Sequence, residues 1–355
     1  MLHVCPRYYP NIGGVEDHVK NIAERLAEKH DVSVFTTASE ILPREEIING
    51  VQVRRFKAWS PNDAYYFSRE LKRSLLANSQ YYDIIHAHNY HAFPALYAAQ
   101  AKKNGNKLAF TPHYHGEGHT RFRDVLHVFY KLCGRAIFRK SDKIVCVSDY
   151  EKRLVMKNFR IHDTNISVIP NGINFKEFEK FEQRKEGHSK IILYVGRLEK
   201  YKGVHYLIKV LKMLSNDYIL EIVGQGSYEK SLVNLAKDTG VENRVKFYKA
   251  LSRKQLLQKY AGANVFALLS KHEAFGISVA EALASKCPCV VANISALKEW
   301  IDYENCFGVE YPIKIDKLAK LIAETIFRRV THVRLWDWTE VTNKLIELYT
   351  DLIYK

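Results

Sequence analysis

Two glutamates, Glu273 and Glu281, flank a Phe-Gly pair in the segment HEAFGISVAE. Paired carboxylates suggest glycoside hydrolysis, in which the two groups stand about 5 to 5.5 Å apart for retention and roughly 6.5 to 9.5 Å apart for inversion. On one helix, eight residues would separate them by about 12 Å along the axis and roughly 80° in azimuth, a poor acid pair. The pattern instead puts Glu273 in a loop after the apolar strand NVFALLS and Glu281 inside a helix opening near Gly276. Such a helix mouth presents unpaired backbone N–H groups and a favourable dipole to a phosphate. Gly276 permits close approach. Carboxylates on either side of that phosphate would accept hydrogen bonds from neutral hydroxyls. A ligand with hydroxyls flanking a diphosphate is a nucleotide sugar.

Two further segments fit the same chemistry. YVGRLEKYKG ends a strand with Gly196 and presents Arg197 and Lys202, cations suited to stabilising a departing diphosphate. EIVGQGS is a second Gly-punctuated strand end in the same half, where open parallel sheets bind ligands.

These residues need a scaffold that alternates strand and helix, and the chain supplies it twice. LHVC, DVSVFTTA, YDIIHAH, KLAFTPH and DKIVCVS read as strands. Val15, Val19, Ile22 and Leu26 recur at helical spacing between the first two, and FPALYAAQAKK and DYEKRLVMKN are helical in pattern. The polar stretch PNGINFKEFEKFEQRKEGHSK interrupts this alternation. KIILYVGR, YILEIVG, RVKFYKA, NVFALLS and CVVAN then alternate with helical segments, ending in ISVAEALASK. Each half predicts a mostly parallel sheet covered on both faces. The expected organisation is a first domain over 1–172, a linker over 173–188, a second domain over 189–334 and a C-terminal helix over 335–355.

Composition agrees with two domains and narrows the partners. At 355 residues the chain exceeds the roughly 250–300 at which one core stops growing. Its net charge of +15 favours anionic partners, and the excess is spread over both halves. No basic tail or nucleic-acid module appears, so nucleic acid is not expected. The six cysteines lack CxxC spacing and are expected as buried thiols. No apolar run approaches roughly 18 residues, and Pro6 and Arg7 precede any signal-like region, so a cytoplasmic location is expected.

HAHNYH and PHYHGEGH concentrate histidines after apolar strands. A zinc hydrolase using imidazoles with Glu117 is one reading. Polar residues lining a ligand cleft of an α/β sheet are the other, and the one adopted here. TRFRDVLHVFYKLCGRAIFRK mixes apolar and basic residues, so it could rest on an anionic membrane at the inner face or pack on the sheet with a solvated basic face.

Taken together, IGGVEDHV, SDKIVCVSDY, VIPNGINFKEF, VGRLEKYKG, IVGQGS and HEAFGISVAEALASKCPCVVAN resemble the retaining GT-B glycosyltransferases of family 4. The resemblance covers nearly the whole chain. It implies an α/β GT-B fold: two facing, doubly wound Rossmann-like domains and a C-terminal helix crossing back to the first. The first domain would bind a hydroxyl acceptor, glycan, lipid-linked or small molecule, and the second a UDP- or GDP-sugar. By the same resemblance, Arg197 and Lys202 hold the diphosphate, Glu281 the ribose hydroxyls and Glu273 the donor sugar. Gly196 and the backbone of Phe275, Gly276 and Ile277 lie beside them. Gly13 and Gly14 form the first-domain loop that closes over the donor, and His113 is the catalytic histidine near the reacting sugar. No metal and no cofactor beyond the donor are implied. Ala274, Ser295, Ala296 and Cys306 stand where the family commonly has glycine. A sugar phosphorylase, a nucleotide-sugar epimerase and a non-catalytic sugar-nucleotide binder remain alternatives on the same phosphate site.

Overall fold

The computed structural model describes residues 1–38, 41–61, 64–116, 121–181, 189–301, 303, 305–328, 330 and 334–354; of 121–129 it describes the backbone only. The chain divides into two compact units. One comprises Met1–Gly172 with Trp338–Lys355, the other Ile173–Asp337.

In the first unit the elements are β1 (Leu2–Val4), α1 (Gly14–Ala27), β2 (Ser33–Ala38), β3 (Glu45–Ile48), β4 (Val51–Lys57), α2 (Arg69–Asn78), β5 (Ile84–His88), α3 (Phe93–Ala101), β6 (Lys107–Thr111), α4 (Arg121–Lys140), β7 (Lys143–Cys146), α5 (Asp149–Phe159) and β8 (Ile166–Val168). The sheet order is β3-β4-β2-β1-β5-β6-β7-β8. All neighbours pair in parallel except β3 and β4, an antiparallel hairpin turned by Asn49 and Gly50 at φ 47° and 83°. That hairpin is absent from the sequence expectation, although Asn-Gly is the favoured two-residue turn between strands. Buried Leu2, Val4, Ile85, Ala87, Leu108 and Phe110 form the centre of the core. Runs apolar on both faces are what a covered parallel sheet requires.

The second unit holds α6 (Phe175–Phe178), β9 (Lys190–Val195), α7 (Val204–Leu211), β10 (Tyr218–Val223), α8 (Glu229–Asp238), β11 (Val245–Tyr248), α9 (Arg253–Gly262), β12 (Val265–Leu268), α10 (Ile277–Ala284), β13 (Cys289–Ala292), β14 (Cys306–Val309) and α11 (Ile315–Thr325). Its parallel sheet runs β11-β10-β9-β12-β13-β14. The segment expected as a linker starts inside this unit, because Ile173 and Phe178 are buried in its core; residues 182–188 lie outside the described residues.

The last helix, α12 (Trp338–Tyr354), packs in the first unit, where it touches α1. It begins at Trp338 and not at the expected 335, because the preceding backbone is held by the second unit: Ile173 N donates to Trp336 O at 2.7 Å. The described side chains of α4 bury Ile137 and Phe138 and expose Leu132 together with Arg135, Arg139 and Lys140. No helix among the described residues is long and apolar enough to cross a membrane. The six cysteines are free thiols, five of them buried.

Candidate active site

In the second sheet the chain turns one way from β9 to β10 and β11 and the other way through β12, β13 and β14. The crevice at the carboxyl ends of β9 and β12 is therefore the topological switch point, where open α/β sheets bind ligands. The loops leaving those two strands carry Gly196, Arg197, Lys202, Glu273, Phe275 and Gly276.

After β9, Gly196 N donates to Val223 O at 3.0 Å and closes the strand end onto β10. The buried Tyr194 hydroxyl donates to Arg197 O at 2.8 Å, and Leu198 N to Gln225 O at 3.0 Å, so the loop is pinned below and beside. This leaves the Arg197 side chain exposed, with its guanidinium donating to the Tyr201 hydroxyl at 3.0 Å. Gly203 follows at φ 77°, and a Cβ there would stand 2.3 Å from Leu269 O. Only glycine fits between the Lys202 loop and β12's exit. Lys271 N donates to Tyr201 O at 2.9 Å and joins the two loops directly.

Across that junction the Lys202 ammonium donates to the Glu273 carboxylate; the two side chains are 12% and 15% exposed. Arg197, Lys202 and Glu273 are thus brought together around Tyr201. The next residues turn into α10. Trp300 Nε1 donates to Phe275 O at 2.7 Å, its ring meets Phe275 edge-on at 5.1 Å, and Gly276 caps the helix at φ 94°. A Cβ on Gly276 would press to 3.0 Å from Leu297 Cδ2. Ile277 opens the helix, whose first amides have no partner inside it.

Glu281 lies one turn further on and is held separately. It accepts from Arg253 and, at 2.9 Å, from the Tyr260 hydroxyl, while Arg253 Nε donates to Glu177 at 2.8 Å. Burial opposes the charge on Arg253, but the carboxylates of Glu281 and Glu177 outweigh it and raise its pKa. Burial also raises the Tyr260 hydroxyl, so it stays a donor. Among the described residues no hydrogen bond or ion pair joins Glu281 to Arg197 or Lys202. Arg253, Tyr260 and Tyr201 are site residues that the sequence reading missed; they reach it only through the fold.

The residues standing at usual glycine positions are accommodated unequally. Ser295 adopts φ 57°, the left-handed region, with its hydroxyl buried and unpaired. Ala296 N donates to Glu273 O at 3.4 Å. Cys306 opens β14 in regular pairing with Cys289.

In the first unit, Gly13 and Gly14 open α1, with Asp17 N donating to Gly13 O at 2.9 Å. Beside them sits the Glu16 carboxylate, paired with Arg7 at 2.6 Å; a Cβ on Gly13 would lie 2.4 Å from Glu16 Oε2. His113 follows β6 at φ 49°. It belongs to a cluster with His3, His18, His86 and His88 at the β1–β5 switch point of the first sheet. Burial pushes His3 down to about 3 and His18 to about 4, and holds His86, His88 and His113 well below the ordinary range, so these imidazoles are neutral at pH 7. Glu117, proposed above as a zinc ligand, lies outside the described residues.

The profile of Glycosyltransferase Family 4 matches residues 12–177, and that of Glycosyl transferases group 1 matches residues 175–331. An uncharacterized glycosyltransferase of Methanocaldococcus jannaschii is 30% identical over 96% of this chain and 95% of its own. The chain belongs to glycosyltransferase family 4. The fold of this glycosyltransferase is GT-B, with two parallel-sheet Rossmann-like domains. A D-inositol 3-phosphate glycosyltransferase of Corynebacterium urealyticum is 25% identical over 96% of this chain and 91% of its own. The Anabaena protein HepE, solved with UDP-glucose, superposes with a TM-score of 0.79 at 17% identity, covering 99% of this chain and all of that one.

Proposed function

We propose that this glycosyltransferase moves a hexose-type sugar from a UDP- or GDP-sugar to a hydroxyl acceptor with retention at the anomeric carbon. The observation that carries the reading is the meeting of Arg197, Lys202 and Glu273 at the β9–β12 switch point, immediately before the α10 mouth. Arg197 and Lys202 take the diphosphate, and the amides of Ile277 and Ser278 at the α10 mouth add donors. Lys202 then exchanges part of its contact with Glu273 for phosphate, which frees the Glu273 carboxylate for sugar hydroxyls. Glu281, oriented by Arg253 and Tyr260, accepts from the ribose diol. His113 and the Gly13–Gly14 loop are assigned to the donor by the family resemblance.

In the transfer step the bond from the anomeric carbon to the diphosphate oxygen breaks. A bond from that carbon to the acceptor oxygen forms on the same face, and the acceptor proton passes to the departing phosphate. The two cations stabilise the charge that develops on the leaving group, so no metal is needed there. Contact with an anionic surface through Arg135, Arg139 and Lys140 would bring a lipid-linked acceptor within reach and would weaken as salt is raised.

The test is a panel of UDP- and GDP-sugars with candidate acceptors, reading turnover and the anomeric configuration of the product. Arg197→Ala and Lys202→Ala should each cost roughly 2–4 kcal/mol of transition-state stabilisation. Unchanged turnover in both variants, or an inverted product, would contradict the proposal.

A further inference from the structure

Ser295 carries two costs at one position. It holds φ 57°, in the left-handed region that a residue with a Cβ rarely adopts, and its hydroxyl is buried without a partner. Glycine would avoid both. Strained backbone and unpaired buried groups concentrate where a position serves a ligand, so the pairing of the two at one residue calls for an explanation.

The neighbours of Ser295 tie it to the candidate site. It opens the 3₁₀ turn Ser295–Trp300 after β13, and three residues of that turn rest on the Glu273–Gly276 segment. Ala296 N donates to Glu273 O at 3.4 Å, and Trp300 Nε1 donates to Phe275 O at 2.7 Å. Leu297 Cδ2 lies 3.0 Å from where a Cβ on Gly276 would stand. The turn is therefore a wall of the site, and Ser295 is one peptide away from its contact with Glu273. The order of strands fixes which side of the site this wall forms. In the sequence β9-β12-β13 the exits carry first Arg197 and Lys202, then Glu273, then Ser295. Ser295 thus lies beyond Glu273 from the two cations, on the side of the sugar and away from the diphosphate.

We propose that the Ser295 hydroxyl is a specificity contact for the donor, pairing with a neutral hydroxyl of the sugar that Glu273 holds. The proposal rests on the donor reading given above, in which Glu273 accepts from sugar hydroxyls. A serine hydroxyl donates one hydrogen bond and accepts others, so it matches a sugar hydroxyl in either sense. It turns about a single side-chain torsion, so the pairing needs a change of rotamer and no shift of the turn. A sugar that presents a hydroxyl here satisfies the buried group. One that presents only C–H leaves it unpaired and is selected against. The stability lost at Ser295 is then exchanged for selectivity, the usual relation between strain and function at a binding site.

The experiment is calorimetric titration of wild type, Ser295→Ala and Ser295→Gly with UDP-glucose, UDP-galactose and GDP-mannose, and with free UDP and GDP. The sugar-free diphosphates isolate the contribution of the sugar. In Ser295→Ala, which keeps the backbone and loses only the hydroxyl, the donor that wild type binds best should bind about three- to tenfold more weakly. The matching free diphosphate should bind as it does to wild type. Ser295→Gly should show the same split, and melting curves check that both variants fold. Unchanged donor affinity in both variants overturns the proposal and leaves the donor reading standing. Equal losses for donor and free diphosphate also overturn it, since they mark Ser295 as structural. A wild type that binds none of the five nucleotides refutes the donor reading itself, and the proposal with it.

Discussion

Ser295→Gly should make the second unit more stable. Ser295 begins the turn after β13 with φ 57° and a side chain whose hydroxyl is buried and unpaired. Holding an L-residue in the left-handed region costs about 1–2 kcal/mol. An unsatisfied buried hydroxyl adds about 1–3 kcal/mol. Glycine removes both and gives back about 0.5–1 kcal/mol through its freer unfolded chain. The net expectation is a gain of about 1–4 kcal/mol, or about 2–4 °C in Tm per kcal/mol for a unit of this size. Ser295→Ala separates the contributions, because it removes the hydroxyl and keeps the strained φ. Thermal and urea unfolding of the three proteins should rank Gly above Ala above Ser. A Gly variant less stable than the Ala variant would refute the backbone argument, and an Ala variant less stable than wild type would refute the hydroxyl argument.

Gly203→Ala should cost about 3 kcal/mol or more, since φ 77° is strained for alanine and the added Cβ meets Leu269 O at 2.3 Å; an unchanged urea midpoint would count against the packing described. Lys202→Met leaves the Glu273 carboxylate, 15% exposed, without its cation and should destabilise by about 2–4 kcal/mol, while the Lys202→Met/Glu273→Gln pair recovers most of that in a double-mutant cycle. Additive losses would show that the pair is not coupled. Burial raises the Glu151 carboxyl to about 8, against the opposing hydrogen bonds from Val147 N and Tyr114 N. The folded state then keeps a proton that the unfolded chain releases above about 4.5, so its contribution is complete below that pH and is lost as pH rises through about 8. That amounts to at most roughly 5 kcal/mol, and Glu151→Gln should flatten the slope; equal slopes in both proteins would contradict it.

The alternation of strands and helices was legible because each buried strand reads as an apolar run, and the candidate-site loops after β9 and β12 because glycines and charges punctuate those strand ends. The Asn49–Gly50 hairpin was legible in principle and went unread: its alternating residues sit between charged stretches that mask the period. Other features could not be read locally. Val15, Val19, Ile22 and Leu26 mark α1 as amphipathic, yet the pattern says nothing of His18 meeting His88 at the end of β5 and His113 just after β6. Glu281 was visible as a helix acid, but its partners Arg253 and Tyr260 lie on α9, which only the fold brings alongside. Glu16 beside Gly13 was hidden for another reason: in sequence it is one more acid in a helix's first turn, and its pairing with Arg7 needs the preceding loop to turn back.

The central claim is a cationic site at the β9–β12 switch point that grips the diphosphate of an activated sugar. Its most direct test is calorimetric binding of UDP- and GDP-sugars, backed by the thermal shift that ligand binding to the native state must produce, about 2.7 kcal/mol at 100 times Kd. The account predicts saturable one-to-one binding of at least one of these donors, weakened roughly 30-fold or more in Arg197→Ala and in Lys202→Ala. Binding that is indifferent to both substitutions would contradict it.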